Sequence, residues 1–104
     1  MKFGLKDETI EHVHDVFSRF PQIEEVIIYG SRAKGTYRNG SDIDLTISGI
    51  GLNLEVINRL SLELDDLLLP YTFDLSIYQQ ISNPDLIEHI QRVGVVFYKK
   101  QVTQ

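Results

Sequence analysis

The alternation of apolar and polar residues predicts four short strands. Residues 24–29 end in the β-branched and aromatic run Val26-Ile27-Ile28-Tyr29, which is typical of a buried strand. Apolar and polar residues then alternate along residues 42–48 and again along residues 72–78, as expected for strands with one covered face. A last short strand is predicted at residues 95–98.

Apolar residues at helical spacing separate these strands. They predict three longer helices and one very short helix, which follows the first strand. The expected caps of the longer helices are Asp7, Asn53 and Asn83, and their expected ends are Pro21, Pro70 and Gly94. The order is therefore α-β-α-β-α-β-α-β in a single domain of mixed α/β class spanning residues 1–104. Because the later strands have one polar face, we expect the helices to pack on one face of the sheet and leave the other open.

Three aspartates lie on the polar faces of the second and third strands. Asp42 and Asp44 are two residues apart on one strand, so their side chains share a face. If the strands are neighbours, Asp74 joins them there. Three carboxylates that close together repel one another, and a hard cation such as Mg²⁺ or Mn²⁺ would relieve this repulsion. The pattern predicts a two-metal site held by all three aspartates.

A glycine-serine turn follows the first strand. If Ser31 to Lys34 begin a helix, the N–H groups after Gly30 can bind a phosphate. Arg32 and Lys34 add positive charge to a segment that contains no acidic residue. Gly30, Ser31, Arg32 and Lys34 are therefore predicted to bind the triphosphate of a nucleotide.

The spacing of these residues resembles a known family. Gly30-Ser31, ten intervening residues, Asp42-Ile43-Asp44 and the later Asp74 are similar to the signature of the DNA polymerase beta nucleotidyltransferase superfamily. A chain of 104 residues is similar to the minimal nucleotidyltransferase domains of that superfamily, which are paired with HEPN-domain proteins. The resemblance implies a palm-like mixed sheet with an open catalytic face. It also assigns Asp42, Asp44 and Asp74 as catalytic metal ligands, with ATP as the substrate.

The resemblance implies a function and a partner. An Mg²⁺-dependent nucleotidyltransferase of this kind transfers AMP from ATP to a hydroxyl, here a tyrosine of a HEPN toxin, and acts as the antitoxin. Two alternatives remain open. The chain could neutralise its partner by binding alone, or it could modify a small molecule as the aminoglycoside nucleotidyltransferases do, with a homodimer completing the pocket.

Simpler interpretations of single residues also remain. An isolated Asp-x-Asp is usually a solvent-facing pair on an edge strand, and Arg32 and Lys34 could be ordinary solvated charges. His89 lies near Glu88 on a side of the last helix that is expected to face solvent.

Composition restricts the remaining classes of function. The chain has no cysteine, so disulfides and thiolate metal sites are excluded. Its net charge of −5 argues against general nucleic-acid binding, which depends on excess Lys and Arg. No signal-peptide core or membrane-length apolar run is present, so a cytoplasmic location without membrane contact is expected.

Overall fold

The computed structural model describes residues 1–101, and its strands form one four-stranded mixed sheet. The strands are β1 (Ile23–Tyr29), β2 (Ile43–Gly49), β3 (Phe73–Ile77) and β4 (Val95–Lys99). They lie in the order β3-β2-β1-β4. β1 is antiparallel to both β2 and β4, and β2 is parallel to β3. This sheet confirms the predicted mixed α/β fold.

The helices follow the predicted order along the chain. They are α1 (Asp7–Ser18), α2 (Ser31–Lys34), α3 (Leu54–Asp65) and α4 (Pro84–Val93), and a 3₁₀ turn at Tyr78–Gln80 follows β3. No helix within residues 1–101 combines the length and the apolar character needed to span a bilayer.

The hydrophobic core lies between one face of the sheet and the helices α1 and α3. Each of these helices buries one apolar stripe, and every second residue of β1 and β2 meets it. The fully buried apolar side chains are Leu5, Val13, Val16, Phe17, Ile23, Val26, Ile28, Ile43, Leu45, Ile47, Leu60 and Leu64. Burying this much apolar surface is the main stabilising contribution to the fold.

The arrangement of the helices needs one refinement, because α4 lies on the other face of the sheet. Its Ile90 is 4% exposed, and the Ile27 side chain of β1 reaches the end of the helix at Gly94. The physical reason is the apolar run in β1, in which Ile27 and Tyr29 point away from the core and need their own cover. The face is therefore closed over β1 and over Thr46 in the middle of β2, which is fully buried, and it is open at the end of β2 and β3 that carries Asp44 and Asp74.

The helix ends agree with the sequence only in part. Asn53 and Asn83 cap α3 and α4 through their side chains, as predicted. Asp7 is the first residue of α1 and makes no side-chain cap, because the N-cap is Lys6. α3 ends at Asp65, before the predicted stop at Pro70, and Leu68, which follows the helix, is 89% exposed.

Candidate active site

Asp44 lies at the centre of the open half of the sheet face. Its Cα is paired with that of Tyr29 on β1 and with that of Asp74 on β3. Residues paired directly across neighbouring strands point to the same face, so the three side chains share one surface. Asp42 lies just before β2 and is exposed. The two separate Asp-bearing segments therefore meet at one place, as the alternation of residues predicts.

Gly30 brings the glycine-serine turn directly against this carboxylate. A Cβ at position 30 would overlap Oδ2 of Asp44. The backbone of Gly30 also has φ 75° and ψ −153°, a conformation that only glycine adopts readily. Two independent constraints thus require glycine here, and both follow from the turn crossing the end of β1 next to β2.

The turn continues into α2, which is a helix of only four residues. Its first hydrogen bond runs from the Lys34 N–H to the Gly30 carbonyl at 3.1 Å, and the helix ends at Gly35. A helix this short has little macrodipole, so its attraction for an anion comes from the N–H groups of its first turn. Lys34 is exposed at its end and adds one mobile positive charge.

The structure does not support a phosphate-binding role for Arg32. Its side chain is buried, and its guanidinium donates hydrogen bonds to the carbonyl oxygens of Phe3 and Ser41. Donors already committed to backbone carbonyls inside the protein are not available to a triphosphate. These contacts argue against a phosphate contact by the Arg32 side chain, while its backbone N–H, Gly30, Ser31 and Lys34 remain predicted phosphate-binding groups.

The electrostatics of the open half centre on Asp44. Burial raises the pKa of the Asp44 carboxyl, and the charges of Asp74 and Asp42 raise it further, whereas the nearby His89 lowers it. The raised pKa means that the ionised form is destabilised here relative to water. A cation or a hydrogen-bond donor brought in by a substrate would reverse that penalty.

Tyr29 and His89 adjoin the carboxylates. The Tyr29 ring is 8% exposed and meets the His89 ring edge-on, with 6.2 Å between ring centroids. Burial raises the pKa of the Tyr29 phenol above its ordinary value, and the charges of Asp74 and Asp44 raise it further. The site thus contains an aromatic wall on the side covered by α4.

His89 and Tyr29 were missing from the predicted site. His89 was expected to face solvent, but it is only half exposed. It follows Leu86 by three residues and precedes Val93 by four, so it lies within the inward stripe of α4. That spacing is the sequence signal that could have identified it. Tyr29 carried no comparable signal beyond its place at the end of a strand.

The donor set of the site suits a hard cation. In the part of the chain that the structure describes, no group of three or more His, Cys, Asp or Glu side chains is arranged to hold a metal ion by itself. Mg²⁺ prefers oxygen ligands. It commonly binds one or two carboxylates and completes its coordination shell with water and substrate phosphates. The mutually repelling charges of Asp42, Asp44 and Asp74 fit a site of that kind.

Comparison with protein families gives one match over most of the chain. The model of the polymerase beta nucleotidyltransferase family matches residues 11–103. This range includes the glycine-serine turn and all three aspartates described above. No curated protein matches the chain in sequence.

Solved structures share the fold. A toxin-antitoxin with AMP-PNP has a TM-score of 0.70 and 20% identity, over 93% of this chain and 76% of that chain. A complex of a tri-AMPylated Shewanella oneidensis HEPN toxin with its MNT antitoxin has a TM-score of 0.68 and 14% identity, over 92% and 74%. A protein described as a minimal nucleotidyltransferase has a TM-score of 0.65 and 26% identity, over 91% and 95%.

Proposed function

Because the chain belongs to the polymerase beta nucleotidyltransferase family, we propose that it transfers AMP from ATP to a hydroxyl of a HEPN-domain partner and serves as the antitoxin of that partner. The observation that carries this proposal is the contact between Gly30 and Asp44. It joins an anion-binding turn to a carboxylate that is paired in register with Asp74. A phosphate-binding element next to paired carboxylates is what nucleotidyl transfer requires.

In this proposal the turn holds the tail of ATP. The N–H groups that follow Gly30 bind the β and γ phosphates, and Lys34 neutralises part of their charge. The α phosphate then lies over Asp44, since Gly30 is in contact with that side chain. Tyr29 and His89 lie between Asp44 and α4, so in this proposal they limit the access of water from that direction.

Asp42, Asp44 and Asp74 would hold the divalent cations of the reaction. Two Mg²⁺ or Mn²⁺ ions bound there would activate the attacking hydroxyl and neutralise charge on the leaving pyrophosphate. The protein supplies the acidic oxygens and keeps them at one edge of the nucleotide. The exposure of Asp42 and Asp74 leaves room for water and phosphate oxygens to complete the metal shells.

The chemical step exchanges a phosphoanhydride bond of ATP for a phosphoester bond to the acceptor. The hydroxyl oxygen of the acceptor attacks the α phosphorus of ATP, and the bond from that phosphorus to the bridging oxygen breaks. Pyrophosphate leaves with that oxygen. The hydroxyl proton passes to a carboxylate, and Asp74 is the best placed because it is exposed on the edge strand β3.

The relatives support the choice of acceptor. One solved complex contains a HEPN toxin that carries AMP groups, and another toxin-antitoxin structure contains AMP-PNP. We extend this pairing to the present chain because the fold is shared over more than nine-tenths of its length. A tyrosine hydroxyl is the proposed acceptor group.

The test is to incubate the purified chain with its HEPN partner, ATP and Mg²⁺, and then to weigh the partner. The proposal predicts a gain of one or more AMP groups on a tyrosine, which peptide mass spectrometry would locate. ATP without divalent cation and the Asp42→Asn/Asp44→Asn double variant are the controls, and neither should transfer AMP. An unmodified partner in the complete reaction would contradict the proposal.

The same double variant separates catalysis from neutralisation by binding alone. If the chain acts by transferring AMP, cells that express the toxin are not rescued by Asp42→Asn/Asp44→Asn, although the variant still binds the partner. If rescue persists without the aspartates, the chain neutralises by occupying the partner, and its nucleotide site is not needed.

A further inference from the structure

Arg32 is the one charged side chain buried within residues 1–101, at 3% exposure. A buried guanidinium is destabilising unless its N–H groups are satisfied. Here Nε and Nη2 both donate to the Ser41 carbonyl, at 3.1 and 2.9 Å, and Nη1 donates to the Phe3 carbonyl at 2.8 Å. The charge is therefore held by the backbone of two segments that are remote in sequence.

Two aromatic rings complete the environment of Arg32. The carbon at the centre of its guanidinium is 5.3 Å from the ring centroid of Tyr37 and 5.0 Å from that of Tyr71. Both distances are within the range of a cation–π contact. The loop after α2 and the segment before β3 are thus packed against the same cation.

The Ser41 carbonyl matters because the next residue is Asp42. Asp42 precedes the first residue of β2, so it lies outside the strand pairing that fixes Asp44. Locally, its segment is held by a turn in which the Ser41 N–H donates to the Arg38 carbonyl at 3.0 Å. The fork of Arg32 adds two further bonds to the peptide group that joins Ser41 to Asp42.

The N-terminal turn is packed against the same side chain. Phe3 has a φ of 58°, which is unusual for a bulky residue, and its carbonyl accepts from Nη1 of Arg32. A Cβ on Gly4 would overlap the Tyr37 ring and lie 3.0 Å from Nη1 of Arg32. Arg32 therefore connects the N-terminal turn to the segment that carries Asp42.

We infer that Arg32 is a positioning residue of the proposed nucleotidyltransferase site. Its own backbone lies in α2, directly after the phosphate-binding turn, while its side chain fixes the peptide group before Asp42. It thereby sets the distance between the turn that holds the triphosphate and the first metal-binding carboxylate. The Arg32 side chain acts through Asp42 and does not touch the nucleotide. The catalytic part of this inference rests on the proposed function, whereas the positioning of Asp42 rests only on the contacts of Arg32.

Arg32→Lys is the variant that tests it, because lysine keeps the charge but cannot form a two-bond fork on one carbonyl. Arg59→Lys is the matched control: Arg59 lies 5.6 Å from the Phe20 ring, on α3 and away from the site. Two properties of the isolated protein are measured. One is the amide hydrogen exchange of residues 36–42, and the other is the affinity for Mn²⁺ in the presence of ATP.

The inference predicts faster exchange in residues 36–42 of Arg32→Lys, with the exchange of β1 unchanged. It also predicts Mn²⁺ binding weaker by roughly 10- to 100-fold, the usual effect of losing a residue that orients a metal ligand. With the HEPN partner, kcat for AMP transfer should fall by a similar factor while the KM for ATP changes little. Arg59→Lys should match the wild type in every measurement.

Several outcomes would overturn the inference. Wild-type exchange in residues 36–42 of Arg32→Lys would show that Arg32 does not hold the segment. A rise in the KM for ATP at constant kcat would show direct contact with the nucleotide. If Arg32→Lys fails to fold, Tyr71→Leu is used instead, because it removes one of the two rings packed against the Arg32 guanidinium. It must show faster exchange in residues 36–42 and weaker Mn²⁺ binding, each to a smaller extent. The exchange measurement decides the matter even if no AMP transfer is found, so the inference and the proposed function can fail separately.

Discussion

The second face of the sheet has two halves that differ in what covers them. Over β1, Ile27 and Tyr29 are covered by α4, with Ile90 and the His89 ring against them. At the adjoining end of β2 and β3, Asp44 and Asp74 lie side by side, with Asp44 only partly buried and Asp74 exposed. The closed half stabilises the fold, and the open half presents charge that destabilises it. The comparison shows how one small sheet divides stability and chemistry between adjacent strands.

The difference originates in the strands themselves. β1 is apolar on both faces along Val26-Ile27-Ile28-Tyr29, so it requires cover on both sides. β2 and β3 alternate apolar and acidic or hydroxyl side chains, so one face of each can remain exposed. α4 packs on the second face of the sheet at β1, where Ile27 and Tyr29 are apolar. The uncovered surface that carries Asp44 and Asp74 is the proposed substrate-binding surface.

Truncating the closed half should produce the largest loss of stability. Ile90→Ala removes the buried anchor of α4, and we expect the free energy of unfolding to fall by about 2–4 kcal/mol. Chemical denaturation followed by circular dichroism measures this. Leu54→Ala is the control, since Leu54 is 72% exposed and should change stability by less than about 0.5 kcal/mol. An equal effect of the two substitutions would mean that α4 does not cover this face.

Adding a methyl group at the boundary between the turn and the open half should damage both stability and activity. Gly30→Ala forces alanine into a backbone conformation that costs about 1–3 kcal/mol and pushes its Cβ against Asp44. AMP transfer should be lost even at temperatures where the variant is folded.

The matched control for this change is Gly35→Ala. Gly35 also has a positive φ, of 81°, but a Cβ there meets nothing within 4 Å. We expect Gly35→Ala to lower the melting temperature while AMP transfer continues. If Gly35→Ala abolishes transfer as completely as Gly30→Ala, backbone strain alone accounts for the loss and the contact with Asp44 is not essential.

Removing charge from the open half should stabilise the metal-free protein. The pKa of Asp44 is raised by burial and by Asp74, so the folded state holds the proton more tightly than the unfolded state does. Stability therefore falls as pH rises above the unfolded value of about 3.9, and the penalty is greatest at neutral pH. Asp44→Asn should remove it and raise stability at pH 7 by up to about 1 kcal/mol.

Thermal melts from pH 3 to pH 8 test the sign of this effect. The advantage of Asp44→Asn over the wild type should shrink as pH approaches the unfolded value of about 3.9 from above. Asp65→Asn on α3 is a control for loss of one exposed carboxylate. An advantage that instead grows as pH falls would mean that Asp44 is stabilised as a carboxylate, and the two halves would then not differ as described.

A smaller effect is expected at Thr46, below Asp44 on the same face. Its hydroxyl is fully buried and makes no hydrogen bond within the described residues. Thr46→Val keeps the shape and removes the unsatisfied oxygen, so we expect unchanged or slightly higher stability, by less than about 1 kcal/mol. Urea unfolding measures it, and a loss above that size would show that the hydroxyl has a partner in solution.

The placement of the aspartates could be predicted from the sequence, but the cover that α4 gives to β1 could not. The two-residue period places Asp44 and Asp74 on polar faces, and the parallel register of β2 and β3 then brings them together. Gly30 was identified from its position at the end of an apolar strand. These predictions succeed because they depend on short-range geometry, which the spacing of residues determines directly.

Other features could not be read from spacing. Helical periodicity shows that α4 has an apolar side, but it does not say which face of the sheet that side meets. The contacts of the Arg32 side chain could not be predicted, because its partners are the backbone carbonyls of Phe3 and Ser41, which leave no side-chain signal in the sequence. The sequence alone does not distinguish an arginine that is buried against backbone carbonyls from one that binds phosphate, because the carbonyls come from segments that only the fold brings together.

The most direct test of the central claim is the AMP content of the HEPN partner after incubation with ATP, Mg²⁺ and either the wild-type chain or Asp44→Asn. If Asp44 is the centre of the nucleotidyltransferase site, the wild type adds AMP to a tyrosine of the partner. Asp44→Asn, although folded and bound to the partner, then transfers AMP at least about a hundredfold more slowly. Losing a residue that only orients a metal ligand costs about 10- to 100-fold, so the loss of a ligand itself should equal or exceed the upper value. Equal modification by the two proteins would contradict the account.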